Sequence, residues 1–377
     1  MKRVLLYGMC GMDNLGDDLM YYSISDYLHN RDIEVDFASR MRWCPYFKEE
    51  KVPSCIELPI YNVKRNNVTS RVNKLLPFTK PIYHKVLLSE LSAYFESKQY
   101  DALVFLGGGY ITSNRTVMSE SELRNILLLV EGGKNAGLQV IFSGVTVGPF
   151  DENNNVKHIA RKILSLADTI SVREKYSYNE LNDMGIQCSL TGDNIFLLDR
   201  NPSLNKRQSQ YILANIKFHK EQSNSIEEKQ KEIIELCRDS MYPVIVLPFR
   251  SDLESEEYKL NQSFCSTLKA NGIKCDLIIP SSIAELMQLF FESEFVIGSA
   301  YHSVALALFF CKKVYTWYQG EYYTYKIKGI TDMFTKLSMG QGIQAYCATV
   351  DQRNEIRNRV ISEWNNIINM VNENGKI

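Results

Sequence analysis

The sequence predicts an α/β protein made of two doubly wound domains, and three observations support this prediction. Short apolar runs alternate with longer amphipathic stretches, which is typical of parallel strands joined by helical crossovers. The chain has 377 residues, enough for about two domains of roughly 150 residues each. A polar stretch that contains a proline, Asp199–Asn205, separates two such alternating series and indicates a linker between the domains.

The first series predicts a parallel sheet in the N-terminal part of the chain. Glycines follow two of its helices directly, at Gly137 and Gly185, where glycine commonly ends a helix. The predicted strands are Val4–Tyr7, Val35–Phe37, Ala102–Leu106, Val140–Ser143 and Thr169–Val172. The predicted helices are Asp17–Leu28, Leu91–Ser97, Glu122–Ala136, His158–Ala167 and Tyr176–Met184.

The second series predicts a similar sheet, and one of its helices has a Ser282-x-x-Glu285 capping box. The resulting domains are residues 1–200 and 206–350, followed by a C-terminal helix within 351–377. The predicted strands are Tyr211–Asn215, Val244–Leu247, Cys275–Ile279, Phe295–Ile297 and Val314–Trp317. The predicted helices are Ser225–Asp239, Tyr258–Ala270, Ser282–Phe291, Ser303–Phe310 and Asp351–Asn372.

The charge balance argues against a nucleic-acid partner. The chain has 43 Lys and Arg residues against 44 Asp and Glu residues, a net charge of −1, whereas nucleic-acid binders usually carry a basic surplus. The nine cysteines form no CxxC pair, so a zinc ribbon is not indicated and free thiols in a reducing cytoplasm are expected. The apolar run at the N-terminus is too short for a signal peptide. We expect a cytoplasmic protein, with a peripheral contact at the inner face of the membrane as an open possibility.

Glycine-rich loops follow two strands of the first domain, where ligands of doubly wound sheets bind. The first loop has glycines at positions 8, 11 and 16, so it is neither a GxGxxG fingerprint nor a Walker loop. It suits an anion near the helix start, or it is a plain tight turn with Asp17 stabilising the helix dipole. Gly107, Gly108 and Gly109 follow another strand. They indicate a close approach of a ligand, or tight packing of strand on helix.

Two further side chains stand just after predicted strands. Arg173 is a candidate ligand contact or a structural partner of a carboxylate, and Ser171-x-x-Glu174 could be a capping box. His302, alone among the five histidines, combines the end of a strand with the start of a helix. It is a candidate catalyst or a satisfied structural histidine. No HExxH, HxxxH or GxSxG spacing is present, so neither a metal site nor a serine nucleophile is predicted.

Together these loops resemble the polysaccharide pyruvyl transferase family. The resemblance covers about residues 1–335, and the order and spacing of the motifs carry it. The matching motifs are Asn14-Leu-Gly16-Asp17, Gly107-Gly-Gly109, Gly144-x-x-x-Gly148-Pro149, Ser171-Val-Arg173-Glu174-x-x-Ser177, Gly192-Asp193, Gly298-x-x-x-His302-x-x-x-x-Ala307 and Tyr325-Lys326.

The resemblance implies two Rossmann-like domains in a GT-B-like arrangement, with the acceptor on the N-terminal domain and the donor on the C-terminal one. It implies transfer of a pyruvyl unit from phosphoenolpyruvate to a glycan or a lipid-linked sugar, without metal or cofactor. The family carries an Arg-Leu-His motif, of which this chain keeps only His302; Ala300 and Tyr301 replace the other two residues. Because anions of this charge need fixed cations, we expect Lys217, Arg250 or Lys326 to substitute.

The predicted site follows from these motifs. We expect His302 as general acid and Asp17 as the base for the acceptor hydroxyl. The expected substrate contacts are Asn14, Gly16, Gly107, Gly108, Gly109, Arg173, Lys217, Arg250, Tyr301 and Lys326. The sequence leaves two other functions open, a GT-B glycosyltransferase with a nucleotide-sugar donor and a non-catalytic subunit of glycan assembly.

Overall fold

The computed structural model of the chain describes eleven segments, and statements of structure below concern these residues. Most of the predicted linker, Asp199–Asn205, lies outside them. The described residues are 1–9, 11–39, 44–47, 55–59, 80–114, 117–151, 155–199, 210–217, 226–318, 320–337 and 342–373.

The first sheet has seven strands in the order β3-β2-β1-β4-β5-β6-β7, all paired in parallel. Its middle strand, β4, is the apolar run Ala102–Leu106, buried at every position, as expected for a parallel strand covered on both faces. The strands are β1 (Lys2–Gly8), β2 (Ile33–Ser39), β3 (Cys55–Ile56), β4 (Ala102–Leu106), β5 (Gln139–Val145), β6 (Thr169–Val172) and β7 (Ser189–Leu190).

Helices connect these strands, and their ends follow local sequence signals. Ser119 and Glu122 form a reciprocal capping box at the start of the third helix. The helices are α1 (Leu15–His29), α2 (Lys80–Lys98), α3 (Glu120–Asn135), α4 (Asn155–Ser165) and α5 (Lys175–Asp183), followed by a 3₁₀ turn (Asn194–Leu197).

The second sheet also has seven strands, in the order β10-β9-β8-β11-β12-β14-β13. Its pairings are parallel from β10 to β12, whereas β14 pairs antiparallel with β12 and β13. The strands are β8 (Ile212–Asn215), β9 (Val244–Val246), β10 (Cys275–Leu277), β11 (Phe295–Gly298), β12 (Lys313–Thr316), β13 (Thr335–Lys336) and β14 (Gln344–Cys347).

The helices of the second half include a segment broken by a π turn (Thr324–Lys328). The Ser282 hydroxyl caps its helix by accepting from Glu285 N at 3.2 Å, whereas the Glu285 carboxylate reaches Ser281 instead of Ser282. The helices are α6 (Ile226–Ser240), α7 (Glu256–Ala270), α8 (Ile283–Glu292), α9 (Tyr301–Phe309), α10 (Glu321–Tyr323), α11 (Gly329–Thr331) and α12 (Val350–Glu373).

The C-terminal helix α12 packs back against the first domain. Trp364 Nε1 donates to Asn194 Oδ1 at 2.9 Å. A Cβ at Gly192 would lie 2.6 Å from Ile356 of the helix, so only glycine allows this approach. Helix α12 follows the second sheet along the chain and packs on the first domain, so it links the two domains. Among the described residues, no helix is long and apolar enough to cross a membrane.

The predicted strands and long helices are all present, and most of their ends shift by a few residues. The exception is the helix predicted at Leu91–Ser97, which begins much earlier and spans Lys80–Lys98. Four short strands were not predicted. Three of them, β3, β7 and β13, have only two residues each, too few to show a pattern, and the fourth, β14, is the short segment Gln344–Cys347. One predicted capping box is wrong. Helix α5 has Glu174 as its N-cap, and the hydroxyl of Ser171 accepts from Gly144 N at 3.0 Å instead.

Candidate active site

A pocket lies between the two domains, at the ends of strands β1, β8 and β11. The first domain contributes the start of helix α1, and the second contributes loops after its strands, the start of helix α9 and the π turn. The lining residues are Asn14, Asp17, Lys217, Phe249, Ser299, Ala300, Tyr301, His302, Tyr323, Lys326 and Ile327.

The start of helix α1 forms the first-domain side of this pocket. The side chain of Asn14 caps the helix by accepting from Gly16 N at 3.2 Å. Gly16 itself faces the second domain, where a Cβ would overlap the imidazole of His302. The absence of a side chain at Gly16 therefore lets the two domains meet at the histidine.

The start of helix α9 forms the opposite side. Its N-cap is Ala300, whose methyl side chain cannot accept a hydrogen bond from the free N–H groups of the first turn. Next to it, the hydroxyl of Ser299 accepts from Lys217 N at 2.9 Å and donates to Lys217 O at 2.7 Å. This exchange fixes the loop after β8 beside an uncapped helix start, a suitable position for an anion.

His302 lies in the first turn of α9 and is almost completely buried. Its Nε2 has no hydrogen-bond partner among the described residues and lies 4.0 Å from Asp193 Oδ2. Burial lowers the pKa of the imidazole to about 3; Asp193 opposes this shift, whereas Arg173 and Lys326 add to it. Without a bound anion, His302 is therefore neutral at physiological pH.

Lys326 occupies the π turn, and its Nζ lies 5.6 Å from the ring centre of Tyr301 and 5.3 Å from that of Tyr322. Burial, together with the positive charge of Arg173, lowers its pKa to about 7, although Asp17 opposes the shift. Lys326 forms no ion pair with any described residue, whereas Lys217 lies 3.4 Å from Glu257. Lys326 is thus the lining cation that stays available to a ligand.

Asp17 is the one carboxylate among the lining residues. Burial raises its pKa, and Lys326 and Lys217 oppose that shift. A carboxylate whose pKa is raised is a better proton acceptor than an exposed one. The pocket therefore combines a proton acceptor, a neutral imidazole and a free cation.

Arg173, expected to contact substrate, lies behind the pocket instead and is fully buried. Its Nη1 donates to Asp193 Oδ2 at 2.7 Å, and Glu174 is 3.6 Å away. The ring of Tyr301 covers the guanidinium at 3.9 Å. Tyr301, which does line the pocket, therefore separates Arg173 from a ligand. These contacts agree with the alternative prediction that Arg173 is a structural partner of a carboxylate.

Gly107, Gly108 and Gly109, also expected to contact substrate, do not line the pocket either. A Cβ at Gly107 would meet Met20 at 2.6 Å, and one at Gly109 would meet the Tyr322 hydroxyl at the same distance. That hydroxyl donates to Gly109 O at 2.9 Å. Gly107 thus makes room for a side chain of helix α1, as the alternative of tight strand-on-helix packing predicts, whereas Gly109 makes room for a tyrosine of the second domain.

Arg250 was also expected to contact substrate, but it makes a hydrogen bond between the two domains instead. Its Nη1 donates to Met12 O at 3.0 Å. Next to it, Asp13 of the first domain accepts hydrogen bonds from Ser251 N and Asp252 N, each at 2.9 Å. Arg250 does not line the pocket, and its positive charge acts on the site by opposing the rise in the pKa of Asp17.

Four lining residues were not predicted from the sequence: Phe249, Ser299, Tyr323 and Ile327. Phe249 and Ser299 each follow a strand closely, so position alone could have found them. Tyr323 and Ile327 flank the Tyr325-Lys326 motif, but the π turn that aims them has no sequence signature. Among the described residues, no cluster of three or more His, Cys, Asp and Glu side chains is placed to hold a metal ion.

Two Rossmann-like domains with a pocket between them define a GT-B-type fold, and solved structures share it. UDP-N-acetylglucosamine 2-epimerase from Rickettsia bellii is 10% identical, with a TM-score of 0.53 over 99% of this chain and 97% of that chain. UDP-GlcNAc 2-epimerase from Methanocaldococcus jannaschii is 14% identical, with a TM-score of 0.51 over 96% of this chain and 92% of that chain. At such identities the likeness shows the fold alone.

The family follows from the sequence profile of polysaccharide pyruvyl transferases, which matches residues 14–317. The chain belongs to this family and is a transferase of polysaccharide biosynthesis. No curated protein matches the chain at a significant level.

Proposed function

We propose that the protein transfers a pyruvyl group from phosphoenolpyruvate to a sugar of a cell-surface polysaccharide, or of its lipid-linked precursor, and forms a ketal. The observation that carries the proposal is the shared pocket in which the uncapped start of α9 meets Lys326 and His302. Family membership supports the same reaction.

The donor brings a phosphate and a carboxylate, and the pocket offers both charge and hydrogen-bond donors. Free N–H groups at the start of α9 suit one anionic group, while Lys326, which forms no ion pair with a described residue, supplies positive charge. Lys217 adds positive charge, although it is shared with Glu257. These lysines would replace the arginine that the family has at position 300.

The first step is protonation of the methylene carbon of phosphoenolpyruvate by His302. Negative charge on the bound donor raises the pKa of the imidazole, so that His302 takes up a proton when the donor arrives. The neighbouring carbon becomes cationic and is attacked by a sugar hydroxyl, whose proton passes to Asp17. The tetrahedral intermediate then carries a methyl, a carboxylate, the phosphate and the new ether oxygen.

The second step closes the ketal. A second hydroxyl of the same sugar bonds to the same carbon, the bond to phosphate breaks, and the hydroxyl proton leaves with inorganic phosphate. One product is therefore free phosphate, and the other is a sugar that carries a methyl group and a carboxylate on its ketal carbon. The acceptor's lipid or polymer would place the protein at the cytoplasmic face of the membrane, through a peripheral contact.

The deciding experiment incubates the protein with phosphoenolpyruvate and a panel of lipid-linked and free saccharides. Phosphate release that depends on a saccharide, with a pyruvate ketal on the product by mass spectrometry, is expected. His158→Ala serves as the control for His302→Ala, because His158 is exposed and does not line the pocket.

Two other results would replace the proposal. Binding of a nucleotide sugar without turnover of phosphoenolpyruvate would indicate a GT-B glycosyltransferase. Binding of neither donor would indicate a non-catalytic subunit of glycan assembly.

A further inference from the structure

Behind His302 lies a group of buried charges that the proposed reaction does not yet use. Asp193 is fully shielded from solvent, and both its oxygens are held. Its Oδ2 accepts from Arg173 Nη1 at 2.7 Å, and its Oδ1 accepts from Ile195 N at 2.9 Å. Arg173 is held in turn by the ring of Tyr301 at 3.9 Å. The carboxylate therefore has one fixed place.

The two ring nitrogens of His302 face different surroundings. Nε2 is buried, has no hydrogen-bond partner in the part of the chain that the structure describes, and lies 4.0 Å from Asp193 Oδ2. Nδ1 lies beside Gly16 at the start of helix α1, where the histidine lines the pocket. Because buried polar atoms find partners, a proton on Nε2 that points at the carboxylate is the favourable arrangement. Catalytic hydrogen bonds are often long before ligands bind and shorten afterwards.

We infer that Asp193 is the positioning residue of His302, which holds the imidazole in the Nε2–H tautomer and leaves Nδ1 to exchange the proton with the substrate. The inference rests on the proposed function for the reaction step, since Nδ1 would deliver the proton to the methylene carbon. The tautomer itself is a property of the ligand-free protein.

The charges around His302 explain why such a partner is needed. Arg173, Lys326 and Lys217 all oppose a positive imidazole, and Asp193 is the acidic group that favours it. Arg173 lies behind Asp193, Lys326 comes from the π turn, and Lys217 comes from the loop after β8. Without Asp193, the donor alone would have to stabilise the imidazolium against three cations.

The test measures the tautomer directly by NMR on protein labelled with ¹⁵N-histidine, with His302→Asn used to assign the signals. In the ligand-free wild type at neutral pH, we expect Nδ1 of His302 to show the shift of an unprotonated nitrogen and Nε2 that of a protonated one. The opposite pattern, or equal populations, would overturn the inference whatever the enzyme turns over. The tautomer itself is read in the wild-type protein, and the variant serves only to assign the signals.

The variant Asp193→Asn adds the functional readout. Its amide can donate to Nε2, so the wrong tautomer becomes populated, and turnover should fall roughly 10²–10⁴-fold, the range of general acid–base catalysis. The pH profile of the residual turnover should also shift to lower pH than in the wild type, because the imidazolium loses the favourable negative charge of Asp193. An unchanged tautomer and pH profile in this variant would contradict the positioning role.

Glu174→Gln is the matched control. Glu174 is the other carboxylate beside Arg173, at 3.6 Å, and it is equally buried. It does not appear among the charges that shift the pKa of His302. A merely structural role of Asp193 predicts the same result in both variants. We expect only Asp193→Asn to change the tautomer. If phosphoenolpyruvate is not turned over at all, the proposed function fails while the NMR result still decides the role of Asp193.

Discussion

The imidazole of His302 lies against the α-carbon of Gly16, so that no side chain fits at position 16. Gly16 belongs to helix α1 of the first domain, and His302 to helix α9 of the second. The starts of two helices from different domains therefore meet at the histidine. A single glycine in the first loop therefore provides the space for the side chain of His302, a residue almost three hundred positions later in the chain.

Gly16→Ala should push the imidazole out of this place. Overpacking of this kind costs about 1–3 kcal/mol, so we expect a lower free energy of unfolding together with a lower turnover number. Gly8→Ala is the control, since its Cβ would make only ordinary contact with Leu106 at 3.5 Å. Equal effects of the two substitutions would show that the contact between Gly16 and His302 has no special weight.

His302→Ala should lower turnover by roughly 10²–10⁴-fold, the usual scale of general acid–base catalysis. The imidazole is neutral when the pocket is empty, because burial lowers its pKa to about 3. Donor affinity should therefore change much less than turnover, as measured by calorimetric titration beside steady-state kinetics. Near-normal turnover would make His302 a structural residue.

The part of the site that depends on strand ends could be predicted from the sequence. The carboxyl ends of parallel strands share one edge, so Asn14, Asp17, Lys217 and His302 are expected near one another from their positions in the chain alone. All four line the pocket. The strands could be predicted because they are apolar runs that alternate with helices. The long helices could be predicted because their periodicity extends over many residues.

The sequence does not separate a side chain that faces a ligand from one that faces protein. Arg173 and Lys326 are both cations near strand or loop ends, yet Tyr301 covers the first and the π turn aims the second into the pocket. The glycines Gly107 and Gly109 likewise make room for Met20 and Tyr322. These outcomes depend on contacts between distant parts of the chain, which no local pattern encodes.

Donor binding should weaken as pH rises, because Lys326 has a pKa of about 7. The ammonium is present below that pH and is lost above it, so the attraction for an anion declines on the alkaline side. A bound anion raises the pKa and extends the binding range upward. We expect affinity for phosphoenolpyruvate, measured by calorimetry between about pH 6 and 9, to fall steadily in the wild type.

Lys326→Arg separates this effect from ionisation of the donor itself. Arginine stays charged throughout the range, so its affinity should be nearly constant at alkaline pH. Lys326→Met should bind weakly at every pH, while Lys259→Met, which removes an exposed lysine, should behave as the wild type. A parallel decline in the wild type and in Lys326→Arg would assign the pH dependence to another group.

Asp13 should be important for stability, because it joins the domains through three hydrogen bonds. It accepts from Ser251 N, from the Ser251 hydroxyl and from Asp252 N. Hydrogen bonds to a charged group are worth about 1.5–3 kcal/mol each. Asp13→Asn, which places an amide among these donors, should lower the free energy of unfolding by about 2–4 kcal/mol in urea denaturation.

Ser251→Ala is the comparison for Asp13→Asn, since it removes only the hydroxyl and leaves both backbone donors in place. Its cost should be about 1.5 kcal/mol, the lower end of the range for one hydrogen bond to a charged group, and smaller than that of Asp13→Asn. A larger loss in Ser251→Ala than in Asp13→Asn would mean that the serine acts through other contacts.

Ala300→Arg should tighten the binding of phosphoenolpyruvate. Ala300 is the N-cap of helix α9 and lines the pocket, so a guanidinium there would stand beside the anion that the helix start and Lys326 are proposed to hold. Tyr301 is already stacked on Arg173 at 3.9 Å and need not move. One charge-assisted hydrogen bond is worth about 1.5–3 kcal/mol, so we expect affinity to rise tenfold or more in calorimetric titration.

Ala300→Met is the matched control for this substitution, because it adds a long side chain without charge. Methionine should leave donor affinity unchanged or weaken it, and the difference between the two variants isolates the effect of the positive charge. If arginine and methionine weaken binding alike, Ala300 and Tyr301 shape a pocket for a different donor and the added side chain only fills it. Absence of binding in the wild type and in Ala300→Arg would contradict the phosphoenolpyruvate donor itself, because the fork geometry of arginine is the best partner that a phosphate or carboxylate finds in a protein.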